Sequence, residues 1–511
     1  MRIENVLRNS FYAVVSYLVV GLLILYVRKL FVEYLPIELL GVESLFVDIV
    51  TILSVAEMGL STIVSYGLYK ELANKNETEI NILMNIFKVM YCIIGIIIFM
   101  ISIVIFFFLP KLITANNIPW IYIQIVYIVQ IGTILSSYFL AYKRIILTCD
   151  QKDYICIKYD TICNCIVNII RLIAIIFFKN YILYIVIGLL FNIIANIIIS
   201  KKVNKIYPFI HSIKITKEEI KKRRLFNDVK NFLIQRLSFI LYMGIDSILI
   251  TFCLGLNFSG LVANYTLIHS KIYALIFRLL QGIIPTVGNI IYSEDKERTY
   301  KIYKTLDMGY FLFAGYIACI YMVAFQSFVS LFFGKEFLLD DRYVIALAFN
   351  IFISMQFENA YNFRKTFGMF EQDRVYIIIA AFIKIVLSII CMKYFGIVGI
   401  VIGTIIGFIF IAYARIQFVF RIIFKSSMKK YLIQHIIISI MVIGCVLLVV
   451  SIIKYINFSI GYINLLLECL LSILLLTGLY GLIYIIFKFE EFKYVIYYVK
   501  RIFNIIFNKI K

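Results

Sequence analysis

Runs of about twenty apolar residues follow one another along nearly the whole 511-residue chain, each long enough to cross the roughly 30 Å hydrocarbon core of a bilayer. Lipid offers a backbone no hydrogen bonds, so segments that cross it satisfy their own N–H and C=O groups as helices. Hydrophobic residues make up 63% of the chain and charged residues 15%, a balance that no soluble globular class shows. The runs read as 9–31, 41–66, 84–109, 118–142, 154–178, 181–200, 231–253, 263–289, 308–331, 343–363, 375–392, 396–420, 432–453 and 462–487. They predict an all-α integral membrane protein with about fourteen transmembrane helices. The first run follows Arg2 and Arg8 and meets Arg28 and Lys29 in place of a small-residue cleavage site. It is therefore expected to stay as the first span.

The net charge of +21 has its explanation in where the charges fall. With the N-terminus in the cytoplasm, about 36 lysines and arginines lie in cytoplasmic segments and about 8 in external loops, the positive-inside asymmetry. Lys143-Arg144, Lys201-Lys202, Lys221-Lys222-Arg223-Arg224, Arg364-Lys365 and Lys429-Lys430 fall on the cytoplasmic side, whereas 254–262 outside carries none. An even number of spans puts both termini inside. Nucleic acid is not an expected partner; membrane lipid is. The basic connection near 201–230 is expected to lie on anionic headgroups, with Thr216 and Glu219 readable as a capping box for a short surface helix.

The chain also repeats itself. The fourth span exits at Lys143-Arg144 and the fifth begins after Asp150-Gln151; the tenth exits at Arg364-Lys365 and the eleventh begins after Glu371-Gln372. In both places the second cation precedes the glutamine by seven residues. The next span then carries an intramembrane cation, Arg171 or Lys384. The expected architecture is two six-helix lobes of like orientation around a central cavity, 1–205 and 231–425, joined by a basic linker, 206–230. An extra helix pair and a basic tail, 426–511, lie outside the duplication.

Polar groups inside the spans recur at helical spacing. The fifth span has Asp160, Asn164, Asn168 and Arg171; the seventh has Gln235, Ser238, Tyr242 and Asp246; the eighth has Asn264, Lys271 and Arg278; the tenth has Asn350, Ser354, Glu358 and Asn362. The second has Ser54, Glu57 and Ser61. A cation at the bilayer centre costs roughly 2.5–3.5 kcal/mol on insertion scales and normally faces a watery cavity or a partner. Lys271, Arg278, Arg171 and Lys384, with Asn264, are therefore candidates to hold an anionic cargo in a chamber. Lys88 and Arg236 lie near the cytoplasmic face, where they can snorkel. A second reading stays open: Glu57, Asp160, Asp246 and Glu358 could neutralise the cations as structural ion pairs. The same carboxyls are the candidates for a coupling ion, since a carboxyl in low dielectric can take up a proton; the sequence leaves H⁺ and Na⁺ both open.

Nothing in the sequence assembles a catalytic site. Among the histidines, His211 and His435 read as scattered and His269 as a packed or pore-lining residue in a span. There is no Walker lysine motif. The ten cysteines lie mostly in spans, and Cys163 and Cys165 lack the companions of a metal site. The expectation is a secondary transporter with neither catalytic residues, metal nor cofactor beyond its coupling ion.

Several local sequences carry a family likeness. Leu40-Gly41-Val42-Glu43 followed by Ala56-Glu57-Met58-Gly59-Leu60, then Asp150-Gln151-Lys152-Asp153-Tyr154, then Phe395-Gly396-Ile397-Val398-Gly399-Ile400-Val401-Ile402-Gly403-Thr404, stand in order along the chain. The chain resembles the polysaccharide flippases, of O-antigen or capsule-repeat type, of the multidrug/oligosaccharidyl-lipid/polysaccharide exporter superfamily. The resemblance covers essentially the whole chain. It implies movement of undecaprenyl-pyrophosphate-linked oligosaccharide from the cytoplasmic to the outer leaflet of a bacterial plasma membrane, by alternating access driven by an ion gradient. The chamber cations would then meet the pyrophosphate or acidic sugars. A polysaccharide polymerase and glycosyltransferases are further expected partners. Gly396, Gly399 and Gly403 are spaced to permit close helix approach.

Two relatives of the same fold compete: a cation-coupled multidrug exporter, which would favour an acidic chamber, and a lipid II flippase. From another class, a membrane-embedded polymerase or glycosyltransferase would need a sizeable external loop or a cytoplasmic catalytic domain, and the external loops here are short.

Overall fold

A computed structural model describes residues 2–113, 118–213, 242, 244–281, 295–366, 374–456, 458–459 and 461–496. Helices account for the regular structure throughout the described residues. Ten are long and apolar enough to cross a membrane, and the chain is a multi-pass all-α membrane protein. Four of the expected spans are not among those ten. Those at 41–66 and 343–363 are each broken into two helices, and those at 231–253 and 263–289 are described only in part.

Contacts divide the chain into two compact units, Met1–Asn264 and Tyr265–Lys511. The first contains α1 (Arg2–Tyr34), α2 (Ile37–Leu53), α3 (Val55–Asn74), α4 (Glu77–Leu112), α5 (Trp120–Leu140), α6 (Arg144–Cys149), α7 (Tyr154–Ile173), α8 (Tyr181–Ile206), α9 (Asp246–Leu254) and the start of α10 (Leu256–Gln281). Within it α1 packs on α7, α8 on α5 and α7, α4 on α3 and α5, and α9 on α2. Large apolar side chains such as Ile96, Met100 and Phe107 on α4 are exposed, which is how a helix facing lipid looks.

The second unit holds the rest of α10, then α11 (Lys296–Phe332), α12 (Asp341–Gln356), α13 (Glu358–Thr366), α14 (Arg374–Phe395), α15 (Val398–Phe418), α16 (Lys429–Ile456) and α17 (Tyr462–Phe487). Here α14 packs on α15, and α11 on α12, α16 and α17. The α14–α15 approach needs glycine. A β-carbon on Gly399 would meet the backbone of Cys391 and Met392, and one on Gly403 would meet Ser388 and the Lys384 carbonyl. Gly396 does a different job from its neighbours: it turns the chain at φ +56° with open space around it.

Local chemistry sets the helix ends. Asn76, Asn180, Asp295 and Asp340 each accept a backbone N–H at the start of α4, α8, α11 and α12. At the other end, Lys75, Lys179, Lys425 and Lys488 close helical segments in the left-handed conformation. The break between α2 and α3 falls at Ser54. There Thr51 Oγ1 donates to the Val47 carbonyl and Ser54 Oγ to that of Thr51, hydrogen bonds of a kind that bend helices.

Candidate functional site

The first unit encloses a polar pocket of about 510 Å³. Its walls follow from helical periodicity. On α7, Asp160, Asn164, Val167 and Arg171 fall on one stripe, and on α8 Gly188, Asn192 and Asn196 do the same. The two helices run antiparallel through a turn closed by Asn180, whose side chain accepts from Leu183 N at 3.0 Å, so their stripes face each other. The third wall arises where α5 gives way to a 3₁₀ turn, Ala141–Lys143, before α6. That change of pitch carries Arg144 into the pocket.

The polar groups form one connected ladder. Arg144 holds Asp160 with both guanidinium nitrogens, Nη1 at 2.7 Å and Nη2 at 2.9 Å. Its Nε donates to Asn196 Oδ1 at 2.8 Å, and Asn196 Nδ2 donates to Asn192 Oδ1 at 3.1 Å. The same Asn192 oxygen lies against the hydroxyls of Ser136 at 2.9 Å and Ser137 at 3.2 Å. Arg171 sits eleven residues beyond Asp160 on α7, about 16 Å along the helix axis. Its Nε donates to the Tyr184 carbonyl at 3.2 Å, and its guanidinium covers the Tyr184 ring at 4.3 Å. Gly188 makes that position possible, because a β-carbon there would collide with Arg171 Nη2. No carboxylate pairs with Arg171 among the described residues. The pocket therefore carries two arginines against one aspartate.

A half-buried ion pair adjoins it. Arg28 on α1 lies 3.5 Å from Glu43 on α2, and both act on Tyr181 and Tyr184 at the start of α8. Sequence reasoning read Arg28 only as the end of a span and Glu43 only as part of a motif. The Asp150–Tyr154 motif, in turn, is a clamped turn between α6 and α7. Gln151 takes φ +58°, Asn9 Nδ2 donates to its carbonyl at 3.0 Å, and Asn9 Oδ1 accepts from Tyr154 N at 2.7 Å. Asp150 takes a 2.6 Å hydrogen bond from the Tyr207 hydroxyl and pairs with Lys152. Burial, then that carboxylate, push the Tyr207 hydroxyl above its ordinary value.

The remaining predicted site residues lie elsewhere in the two units. Asn264 is fully buried at the end of the first unit, and neither amide atom has a hydrogen-bond partner among the described residues. Asp246 is half-buried in the first turn of α9, where Asp48 Oδ2 accepts from Ser247 N at 2.7 Å. In the second unit Lys271 is half-buried on α10 and Lys384 is buried on α14 at 1% exposure. Glu358 opens α13, with Arg415 and Lys365 as its charged neighbours. The side chains of Glu57 and Arg278 lie outside the described residues.

Three sequence readings change. Arg144, taken as part of a cytoplasmic connection, is the partner of Asp160. Arg171 and Lys384 do not sit at matching places in the repeat. Counted from Gln151 and Gln372 they lie 20 and 12 residues on, a difference of more than two helical turns. His435, taken as scattered, is buried on α16. His269 is packed, its Nδ1 3.1 Å from the Tyr321 hydroxyl.

No family model and no curated protein sequence matches the chain. Among solved structures it is similar to the lipid II flippase MurJ in an inward-closed conformation, with a TM-score of 0.62 and 16% identity over 93% of this chain and 98% of that one. It is also similar to an inward-facing multidrug resistance MATE family transporter of the MOP superfamily, with a TM-score of 0.61 and 13% identity over 79% of this chain and 97% of that one. At these identities the likeness is one of architecture: the chain has the fold that a lipid II flippase and a MATE transporter share.

Proposed function

We propose that the chain is a flippase for lipid-linked oligosaccharide, carrying an undecaprenyl-pyrophosphate-linked repeat unit from the cytoplasmic to the outer leaflet of a bacterial plasma membrane. The observation that carries this reading is the excess of arginine over carboxylate in the pocket of the first unit, with Arg171 held by a carbonyl and a ring. A guanidinium with no carboxylate partner suits a phosphate oxygen better than an organic cation. Lys271, Arg278, Lys384 and Asn264 remain proposed cargo contacts. Asp160, Asp246, Glu57 and Glu358 remain proposed sites for a coupling H⁺ or Na⁺, with the Arg144 pair making Asp160 the weakest of the four. In this reading both termini are cytoplasmic, and a polymerase and glycosyltransferases act on the same cargo.

The test is transfer of a fluorescent undecaprenyl-pyrophosphate oligosaccharide across proteoliposomes containing the purified chain, with and without an imposed ion gradient. Protein-dependent movement that is lost in Arg171→Ala supports the reading. Transfer of lipid II in preference to the oligosaccharide, or efflux of organic cations with neither lipid moved, replaces it with one of the two relatives of the same fold.

A further inference from the structure

The second unit carries an apolar groove of about 490 Å³, walled by four helices. It follows from how they pack. α11 lies against α12 and α16, and α12 against α15, so α11 and α12 form the floor between α15 and α16. Small residues keep that floor low, Ala318 on α11 with Ala346 and Ala348 on α12, while Ile402 of α15 and Ile443 of α16 stand on either side. Ala348, Phe352 and Val446 are buried, whereas Ile345, Phe349 and Leu447 are exposed and mark the side open to lipid. Of the described residues that line the groove, Arg342 alone is polar. Water needs polar partners to stay in such a space, so hydrocarbon is the favoured filling.

Its dimensions narrow the choice of occupant. Arg342 and Phe352 mark its length along α12, ten residues or about 15 Å. That is half of the roughly 30 Å hydrocarbon core, the depth of one leaflet. Over this length 490 Å³ leaves a mean section of roughly 33 Å², whereas a helix about 10 Å across fills roughly 80 Å². A partner's helix is too wide. An extended acyl chain is not.

The polar end carries a pair of opposite charges. Asp340 accepts from Arg342 Nη2 at 2.6 Å and from Nε at 2.9 Å, and Nη1 is not engaged among the described residues. Both side chains are open to the surroundings, Arg342 at 79% and Asp340 at 43%. Asp341 is turned away, accepting from Gln326 Nε2 at 3.1 Å. An exposed pair of this kind adds little to stability by itself. An aminophospholipid brings the complementary pair, a phosphate for the guanidinium and an ammonium for the carboxylate. A purely anionic headgroup would be repelled by Asp340 as it approached Arg342.

We propose that this groove binds one acyl chain of an aminophospholipid such as phosphatidylethanolamine, with the phosphate on Arg342 and the ammonium on Asp340. On the topology expected from the basic residues, Arg342 stands at the external end of α12, which makes the lipid one of the outer leaflet.

The test uses full-length protein in nanodiscs of equal parts phosphatidylethanolamine and phosphatidylglycerol with a small share of undecaprenyl phosphate. The protein is then moved into mild detergent, and the lipid it keeps is identified by native mass spectrometry. One phosphatidylethanolamine retained per chain is the expected result. Ala346→Phe, which fills the groove, should abolish retention. Arg342→Ala, at an exposed position, should weaken it roughly tenfold, the worth of one charge-assisted contact. Asp340→Asn should erase the preference over phosphatidylglycerol. Absence of retained lipid overturns the proposal, as does retention that neither Ala346→Phe nor Arg342→Ala reduces. So does phosphatidylglycerol or undecaprenyl phosphate held in place of phosphatidylethanolamine. If Ala346→Phe does not fold, Arg342→Ala keeps the test decisive. Flipping is not read, so the site and the proposed function can fail separately.

Discussion

Gly188 lies directly beneath the guanidinium of Arg171, so that a single β-carbon at 188 would occupy the space of Nη2. Two helices are thereby tied by the absence of a side chain on one of them. Gly188→Ala should displace Arg171 from the Tyr184 ring with little loss of stability, because the guanidinium is the free end of a flexible side chain. The proposed transfer activity should fall at least as far as in Arg171→Lys, which keeps the charge and loses the planar fork. Comparison of the two variants in proteoliposomes, at matched expression, checks this. Undiminished activity in Gly188→Ala would mean that the arginine's position is immaterial.

The Arg144–Asp160 pair is bidentate but about a third exposed to the pocket. Asp160→Asn should therefore cost about 1–3 kcal/mol of stability, less than the roughly 3–5 kcal/mol of breaking a fully buried pair. The exchanged pair, Arg144→Asp with Asp160→Arg, should recover part of the loss in thermal unfolding and yet fail in transfer, because Asn196 would lose its guanidinium donor. Full recovery of both properties would show that only the net charge matters.

Gly41 on α2 and Gly260 on α10 face backbone across the same helix contact. Added β-carbons would run into the carbonyls of Leu256 and Ile37, respectively. Backbone cannot swing aside as a side chain does, so either alanine substitution should cost 1–3 kcal/mol or more, about the penalty of overpacking. The double variant should cost less than the sum, since one separation of the helices relieves both clashes. Unfolding midpoints in detergent for the two single variants and the double variant decide it.

At the start of α12 the Arg342 side chain, then its backbone N–H, hold the Asp340 carboxyl below the usual aspartate range. A depressed native value means that the stabilisation is complete above the unfolded-chain value and disappears as pH falls through the native one. The midpoint difference between the parent and Asp340→Asn should thus be present at neutral pH and vanish in acid. A difference that persists unchanged in acid would assign the contact to something other than the ionised carboxylate.

The polar stripe of α7 was legible because Asp160, Asn164, Asn168 and Arg171 keep helical period in an otherwise apolar run. What the stripe faces was not, since Arg144 enters the pocket only through a change of helical pitch after Leu140. The glycine spacing was legible in part: Gly399 and Gly403 admit a neighbouring helix, as it implied, whereas Gly396 supplies a turn. Asp307, buried on α11, escaped notice because it stands one residue before the apolar run at 308–331, although α11 begins at Lys296. A run of hydropathy marks the part of a helix that meets lipid, and α11 continues well beyond it.

The four lysines that end helical segments in the left-handed conformation carry a cost that glycine would spare them, since a β-carbon there is roughly 1–2 kcal/mol unfavourable. Glycine would bend the chain more cheaply and leave the site uncharged. Each position instead keeps a cation beside the carbonyl end of a helical segment, where the helix dipole favours it. Such a residue trades conformational ease for a charge fixed where its helical segment stops, so Lys→Gly changes there should ease the backbone and remove that charge.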